Sequence, residues 1–214
     1  MKLTGTTINF LGDSITQGAG ASDTEHAYVR VLEKTFGLAM ARNYGIGGTR
    51  IARRTVPYNP VYDQDFCQRA PDMADDADAV VVFGGVNDFG HGDAPLGAMT
   101  DRSPYTFYGA CHTLMHLLTR KYLGKPVLFV TPLRCADEVR TESDGSILAL
   151  RDFRNVILEV AEFYSLPVLD LYAQSGIRPE IPEVRSALMP DGLHPNDAGH
   201  AIVARKIGNY LQLL

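Results

Sequence analysis

Four short blocks carry the side chains of this sequence best suited to chemistry: "GDS" at 12–14, "NYGIGG" at 43–48, "GGVND" at 84–88 and "DGLHPN" at 191–196. Taken singly, each has an ordinary structural use. A serine after a strand commonly caps or turns the chain, glycines permit positive φ, and Asn and Asp-Gly are good turn formers. Taken together, they are the components of acyl transfer. A serine hydroxyl is a weak nucleophile until a neighbouring base takes its proton. His194 can be that base, and Asp191, three residues earlier, is near enough to orient the imidazole and stabilise its charged form. A tetrahedral intermediate also needs donors aimed at its oxyanion. The backbone N–H groups of Ser14 and Gly48 and the side-chain amide of Asn87 are the candidates.

These blocks need elements to hold them. Strands are expected at "TTINFL" (6–11), "AVVVFG" (79–84), "PVLFVTP" (126–132) and "PVLDLY" (167–172), with a weaker one at "AMARNY" (39–44). Near-continuous Val, Leu, Ile and Phe without polar alternation suit strands buried on both faces of a parallel sheet. Phe107, Cys111, Leu114, Leu118 and Tyr122 recur at helical steps, as do Leu150, Phe153, Ile157, Val160 and Tyr164. Each series makes one apolar stripe. Further helices are expected over 27–36 and from Asp197, the latter carrying Ile202, Ile207 and Leu211. Strand alternating with helix gives a three-layer α/β fold, whose function sits in the crevice outside the carboxyl ends of the strands. The four blocks fall just after strands or in a late loop. Two long irregular stretches, 49–73 and 133–146, are expected to border a substrate cleft.

Composition narrows the partners. The chain has 214 residues, 45% of them hydrophobic and 21% charged, which suits one domain over 1–214 with a sizeable core. A formal net charge of −5 argues against nucleic acid or an anionic membrane as partner, since both demand a basic footprint. Cys67, Cys111 and Cys135 are odd in number and widely spaced, with no Cys-x-x-Cys. Reduced thiols and a cytoplasmic location are expected. No segment reaches the roughly 20 apolar residues that cross a bilayer, and "MKLTGTTINFLGDS" reads as a first strand instead of a signal peptide.

The ordered blocks resemble those of the SGNH hydrolases, the GDSL-like esterases and lipases, along nearly the whole chain. The resemblance implies Ser14 as nucleophile, His194 as general base and acid, and Asp191 as the carboxylate behind it. It implies Gly48, five residues after Asn43, as oxyanion glycine, with Gly47 as the alternative, and Asn87 as side-chain donor. Ile15 stands where the family name has leucine, a change of packing and not of chemistry. Asp13 and Asp88 belong to the motifs, and hydrogen bonding that holds each loop is their simplest role. The implied fold is a flavodoxin-like α/β/α sandwich around a mostly parallel five-stranded sheet. Neither a cofactor nor a metal is implied, and analogy with small esterases suggests a homodimer.

Competing readings fare less well. The glycine-rich "RNYGIGGTR" fails the dinucleotide pattern because Arg50 takes the place of its last glycine, and no P-loop occurs. His112 and His116 stand four apart on an expected helix, but "TLM" between them lacks the glutamate of H-E-x-x-H. They are expected as polar flanks of the Cys111 and Met115 stripe. There is no G-x-S-x-G elbow. A sugar-binding protein of the same fold would not need Ser14, His194 and Asn87 together.

For substrate, Phe89, His91 and Arg50 are candidate contacts. Arg50, Arg53 and Arg54 are expected either to meet an anionic group or to pair with the acidic stretch 72–78. The absence of a long apolar lid favours short-chain esters, acetylated sugars in particular, with a thioesterase or lysophospholipase as the alternative.

Overall fold

A computed structural model describes residues 1–214 except 142–144 and 146. Five strands form one sheet: β1 (Thr7–Gly12), β2 (Met40–Gly45), β3 (Ala79–Phe83), β4 (Val127–Val130) and β7 (Val168–Leu169). Their order is β2-β1-β3-β4-β7, and every pairing is parallel. A second, two-stranded antiparallel sheet pairs β5 (Val139–Thr141) with β6 (Ile147–Ala149). The helices are α1 (Ser14–Gln17), α2 (Tyr28–Phe36), α3 (Phe66–Arg69), α4 (Val86–His91), α5 (Phe107–Lys121), α6 (Leu150–Phe163), α7 (Leu171–Gln174), α8 (Pro182–Leu188) and α9 (Asp197–Leu211).

Alternation along the strands explains the three layers, since successive side chains point to opposite faces. Val80, Val82, Leu11 and Phe129 pack against Phe107, Leu114 and Leu118 of α5 and Phe153 and Ile157 of α6. Val81, Phe83, Phe10 and Leu128 pack against Tyr28 and Leu32 of α2 and Val203 and Ile207 of α9. All five residues of β3 are buried, as a central strand covered on both faces requires. Each apolar side chain taken fully out of water contributes about 1.5–3 kcal/mol. Caps fix where the helices begin: Thr106 accepts from the Gly109 N–H ahead of α5, and Asn196 from the Gly199 N–H ahead of α9. Each such cap is worth about 1 kcal/mol.

Three expectations need correction. The run at 167–172 is a strand only at Val168–Leu169, because Asp170 turns the chain. Its carboxylate caps α7, accepts from Thr131 and pairs with Arg154. The stretch 49–73 is not wholly irregular, since it contains α3 and a 3-10 turn at Ala70–Asp72. The stretch 133–146 contributes β5, while its residues 142–144 and 146 lie outside the described residues. Among the described residues no helix is long and apolar enough to cross a membrane. Cys67, Cys111 and Cys135 are free and buried.

Candidate active site

The register of the sheet brings three of the four blocks to one edge. Gly12 at the end of β1 lies opposite Gly45 on one side and Phe83 on the other. The chain therefore leaves β1, β2 and β3 side by side, and strand order reverses about β1, the switch point where crevices form in open parallel sheets. Ser14 heads α1, where Asp13 accepts the Ile15 N–H at 3.0 Å. The first N–H groups of a helix have no acceptor within it, so the Ser14 N–H is directed out of α1.

The fourth block arrives from the far end of the sequence. Ser14 Oγ lies 3.0 Å from His194 Nε2 across a separation of 180 residues. His194 Nδ1 lies 2.7 Å from Asp191 Oδ2. The other oxygen, Asp191 Oδ1, accepts the backbone N–H groups of Leu193 at 2.8 Å and His194 at 2.7 Å, so the loop that carries the imidazole also fastens its carboxylate. Partial burial works against the Asp191 charge, but those two N–H groups and the imidazole outweigh it and hold its pKa below the usual 3.8. A carboxylate on Nδ1 fixes the ring with Nε2 as acceptor toward the serine hydroxyl.

The glycine block is held by side chains. Asn43 donates to the Thr16 carbonyl at 2.7 Å and accepts the Gly45 N–H at 2.8 Å. The Gly47 N–H donates to Gln17 Oε1 at 2.8 Å. Gly48 has φ +74°, and a Cβ there would meet the Tyr62 ring at 2.7 Å, so both backbone conformation and space demand glycine. Asn87 Nδ2 donates to the Thr49 carbonyl at 3.0 Å, which orients the amide and leaves its second N–H for another acceptor.

Two buried carboxylates brace these loops. Asp88 accepts the Ile51 N–H at 3.0 Å and the Ala52 N–H at 2.8 Å, one on each oxygen. Burial pushes its pKa up to about 6 despite those bonds, and burial likewise pushes Asp13 up to about 7. Arg69, which the sequence did not single out, joins three loops: it donates to the carbonyls of Tyr44 at 2.6 Å and Gly12 at 3.1 Å and to Thr49 Oγ1 at 2.9 Å. Burial lowers its pKa to about 10.

A cleft of about 580 Å³ adjoins Asn87 and Asp191. Phe89 and His91 line it from α4, and Asp137, Glu180 and Arg185 line it from other segments. The stretch 133–146 thus borders this cleft through Cys135, Ala136 and Asp137, whereas 49–73, against expectation, contributes no lining residue. Arg50 differs from expectation. It is 1% exposed, donates through Nη2 to Asp63 Oδ1 at 2.8 Å, leaves its buried Nε without a partner among the described residues and does not line this cleft. Nor do its neighbours pair with the acidic stretch 72–78: Arg53 pairs with Asp65 and Arg54 with Asp93. Asp75, Asp76 and Asp78 pair instead with Lys121, Arg42 and Lys125.

His112 and His116 lie elsewhere, beside a larger cleft of about 780 Å³. His112 is buried and not a polar flank. Its Nε2 is 3.0 Å from the Met99 carbonyl and its Nδ1 3.2 Å from the Tyr164 hydroxyl. A carbonyl can only accept, so Nε2 carries the proton and Nδ1 accepts from the tyrosine, which leaves no lone pair for a metal.

The sequence pattern of the GDSL-like lipase/acylhydrolase family matches residues 10–202. No curated protein matches the chain. Among solved structures, a protein from Lactobacillus plantarum is 32% identical with a TM-score of 0.85, over 98% of this chain and 97% of its own. A two-domain esterase active on acetylated mannans is 26% identical with a TM-score of 0.66, over 98% of this chain and 49% of its own. An acetyl xylan esterase is 22% identical with a TM-score of 0.66, over 96% and 99%, and shares the fold. With the family pattern spanning all four blocks and a five-stranded parallel sheet beneath them, the chain belongs to the GDSL-like lipase/acylhydrolase family, the SGNH hydrolases.

Proposed function

We propose that the protein is a serine esterase that hydrolyses short-chain esters, acetyl esters of carbohydrates in particular. The observation that carries this reading is the chain of contacts from Ser14 Oγ to His194 Nε2 at 3.0 Å and from His194 Nδ1 to Asp191 at 2.7 Å. In the proposed reaction His194 takes the Ser14 proton as the hydroxyl oxygen attacks the ester carbonyl. The carbonyl electron pair moves onto oxygen, where the N–H groups of Ser14 and Gly48 and the free N–H of Asn87 receive the charge. Gly48 is the better glycine donor because the Gly47 N–H is already given to Gln17. Collapse of the intermediate expels the alcohol with the proton from His194 and leaves an acyl-enzyme. Water, deprotonated by His194, then releases the acid and restores the serine.

Substrate class rests on the cleft. Polar side chains of His91, Asp137, Glu180 and Arg185 share its wall with Phe89 and Leu193, a mixture suited to a hydroxyl-rich alcohol more than to a long acyl chain. The likeness to an esterase active on acetylated mannans supports the same choice.

Hydrolysis of p-nitrophenyl acetate by the wild type and by S14A, with matched folding checks, tests the mechanism. Turnover by the wild type alone is expected, together with fluorophosphonate labelling of Ser14. An S14A protein that keeps the rate refutes the assignment. A preference for long over acetyl and butyryl esters refutes the substrate class.

A further inference from the structure

His91 ends α4 four residues after Asn87, and both line the same cleft. Residues four apart on a helix share a face, about one 5.4 Å turn from each other. The Asn87 amide lies at the level of the ester carbonyl in the proposed reaction, so His91 lies one turn further out, level with a more distant part of the substrate.

The imidazole is fixed from behind. Arg50 Nη1 is 3.2 Å from His91 Nδ1. A guanidinium has donors only, so Nδ1 must accept with its lone pair, and the proton of the neutral ring sits on Nε2, on the side away from Arg50. Arg50 cannot easily turn aside, being buried and bound to Asp63 Oδ1 at 2.8 Å. Asp63 Oδ2 in turn accepts the Tyr58 N–H at 2.7 Å and the Asn59 N–H at 2.8 Å. The surroundings oppose a charged ring. Much of His91 is open to the cleft, but the desolvated inner edge, then Arg50, Arg54 and Arg140, hold its pKa below 6.5. The nearby carboxylates are engaged: Asp63 with Arg50, and Asp93 with Arg54. Of the other acidic groups that line the cleft, Glu180 pairs with Arg178, Asp191 with His194, and Asp137 remains.

Building on the esterase reading, we propose that His91, held as its Nε2–H tautomer by the Arg50–Asp63 pair, donates a hydrogen bond to an acceptor oxygen of the substrate one helical turn out from the ester carbonyl. The ligand class is an ester whose alcohol carries a hydroxyl, ring or carbonyl oxygen at that distance. His91 is then a specificity-determining residue and Arg50 a positioning residue. A neutral single-donor ring selects by geometry, not by charge.

Two measurements test this. Nitrogen-15 NMR of the wild-type imidazoles reads the tautomer whether or not the protein turns over any ester. His91 should show one protonated and one unprotonated nitrogen at pH 7, with Nε2 carrying the proton. A proton on Nδ1, or on both nitrogens, overturns the proposal. The second compares H91A with H91Q on an acetylated monosaccharide and on p-nitrophenyl acetate. H91A should lose roughly threefold to tenfold more kcat/KM on the sugar acetate than on the aryl acetate, mostly through KM, the worth of one neutral hydrogen bond. H91Q should recover most of the difference, because its amide N–H reaches the position of Nε2–H. Equal losses on both esters, or no recovery in H91Q, overturn the proposal. A wild type inactive on both esters, yet with His91 protonated on Nε2, counts against the esterase reading and not against the tautomer.

Discussion

Of the two clefts described above, the larger, about 780 Å³, runs along α5 past His112, His116 and Tyr164, while the smaller, about 580 Å³, opens at the carboxyl ends of the strands beside Asn87 and Asp191. His112 lines the first and His194 follows Leu193 of the second cleft's wall, and the difference lies in what those histidines can still do. His112 has given its ring proton to the Met99 carbonyl and its lone pair to the Tyr164 hydroxyl, so its bonding is complete. His194 has a carboxylate on one nitrogen and a hydroxyl on the other, an arrangement in which a proton can move. Volume alone would choose the cleft whose buried histidine is already spent. The chemical state of the ring nitrogens separates them.

The sharpest test of that contrast is substitution on each side. Under the proposed mechanism, S14A and H194A should each lower kcat/KM for p-nitrophenyl acetate by three or more powers of ten without loss of the folded state. H116A should change it by less than about twofold. A large effect at His116 would break the comparison.

Next in size is the oxyanion donor. N87A should cost about 10²–10³ in kcat, the effect of removing one such donor, with KM moving far less. A change confined to KM would place Asn87 in substrate binding alone.

Two carboxylates near the site sharpen the contrast through stability. D88N should unfold more easily by roughly 1–3 kcal/mol in a denaturant titration, because both Asp88 oxygens accept backbone N–H groups and an amide nitrogen would face one of them. D13N should behave oppositely, since only Oδ1 accepts the Ile15 N–H and asparagine can supply that oxygen. The Asp13 carboxyl is raised from 3.8 to about 7, mainly by burial. Between those values the folded protein retains a proton that the unfolded chain releases, so the contribution of this group is complete below pH 3.8 and is lost as pH rises through 7. D13N should therefore be more stable than wild type at pH 8, by an amount on the order of 2–4 kcal/mol. The gap should narrow toward pH 5. A gap independent of pH would mean that Asp13 is ionised at little cost.

Much of this was legible from local pattern. The runs of β1, β3 and β4 are apolar because they are covered on both faces, and the stripes of α5 and α6 match the sheet face that they cover. The residues of the site stand in motifs, and motifs survive reading without coordinates. What failed to show was long-range pairing. Nothing near Arg50 in the sequence announces that Asp63 and His91 will enclose it, and a run of arginines reads as surface until burial is known. Arg69 joins the ends of β1 and β2 to Thr49 from a helix of four residues, too short to leave a periodic trace. The last strand was read too long because "VLDLY" is apolar on both sides of Asp170, whose bonds to Thr131 and Arg154 lie 39 and 16 residues away.

The 180-residue gap between Ser14 and His194 also has a consequence in time. Synthesis runs from the amino end, and domains form as their parts emerge. The turn after β1 that carries Ser14 is made 180 residues before the loop that carries His194. Until those residues are made the hydroxyl lacks the His194 imidazole. Under the proposed mechanism a nascent chain is thus chemically quiet toward esters until the His194 loop, which leads into α9, has docked beside Ser14. On that mechanism a copy stalled before His194 is silent by default.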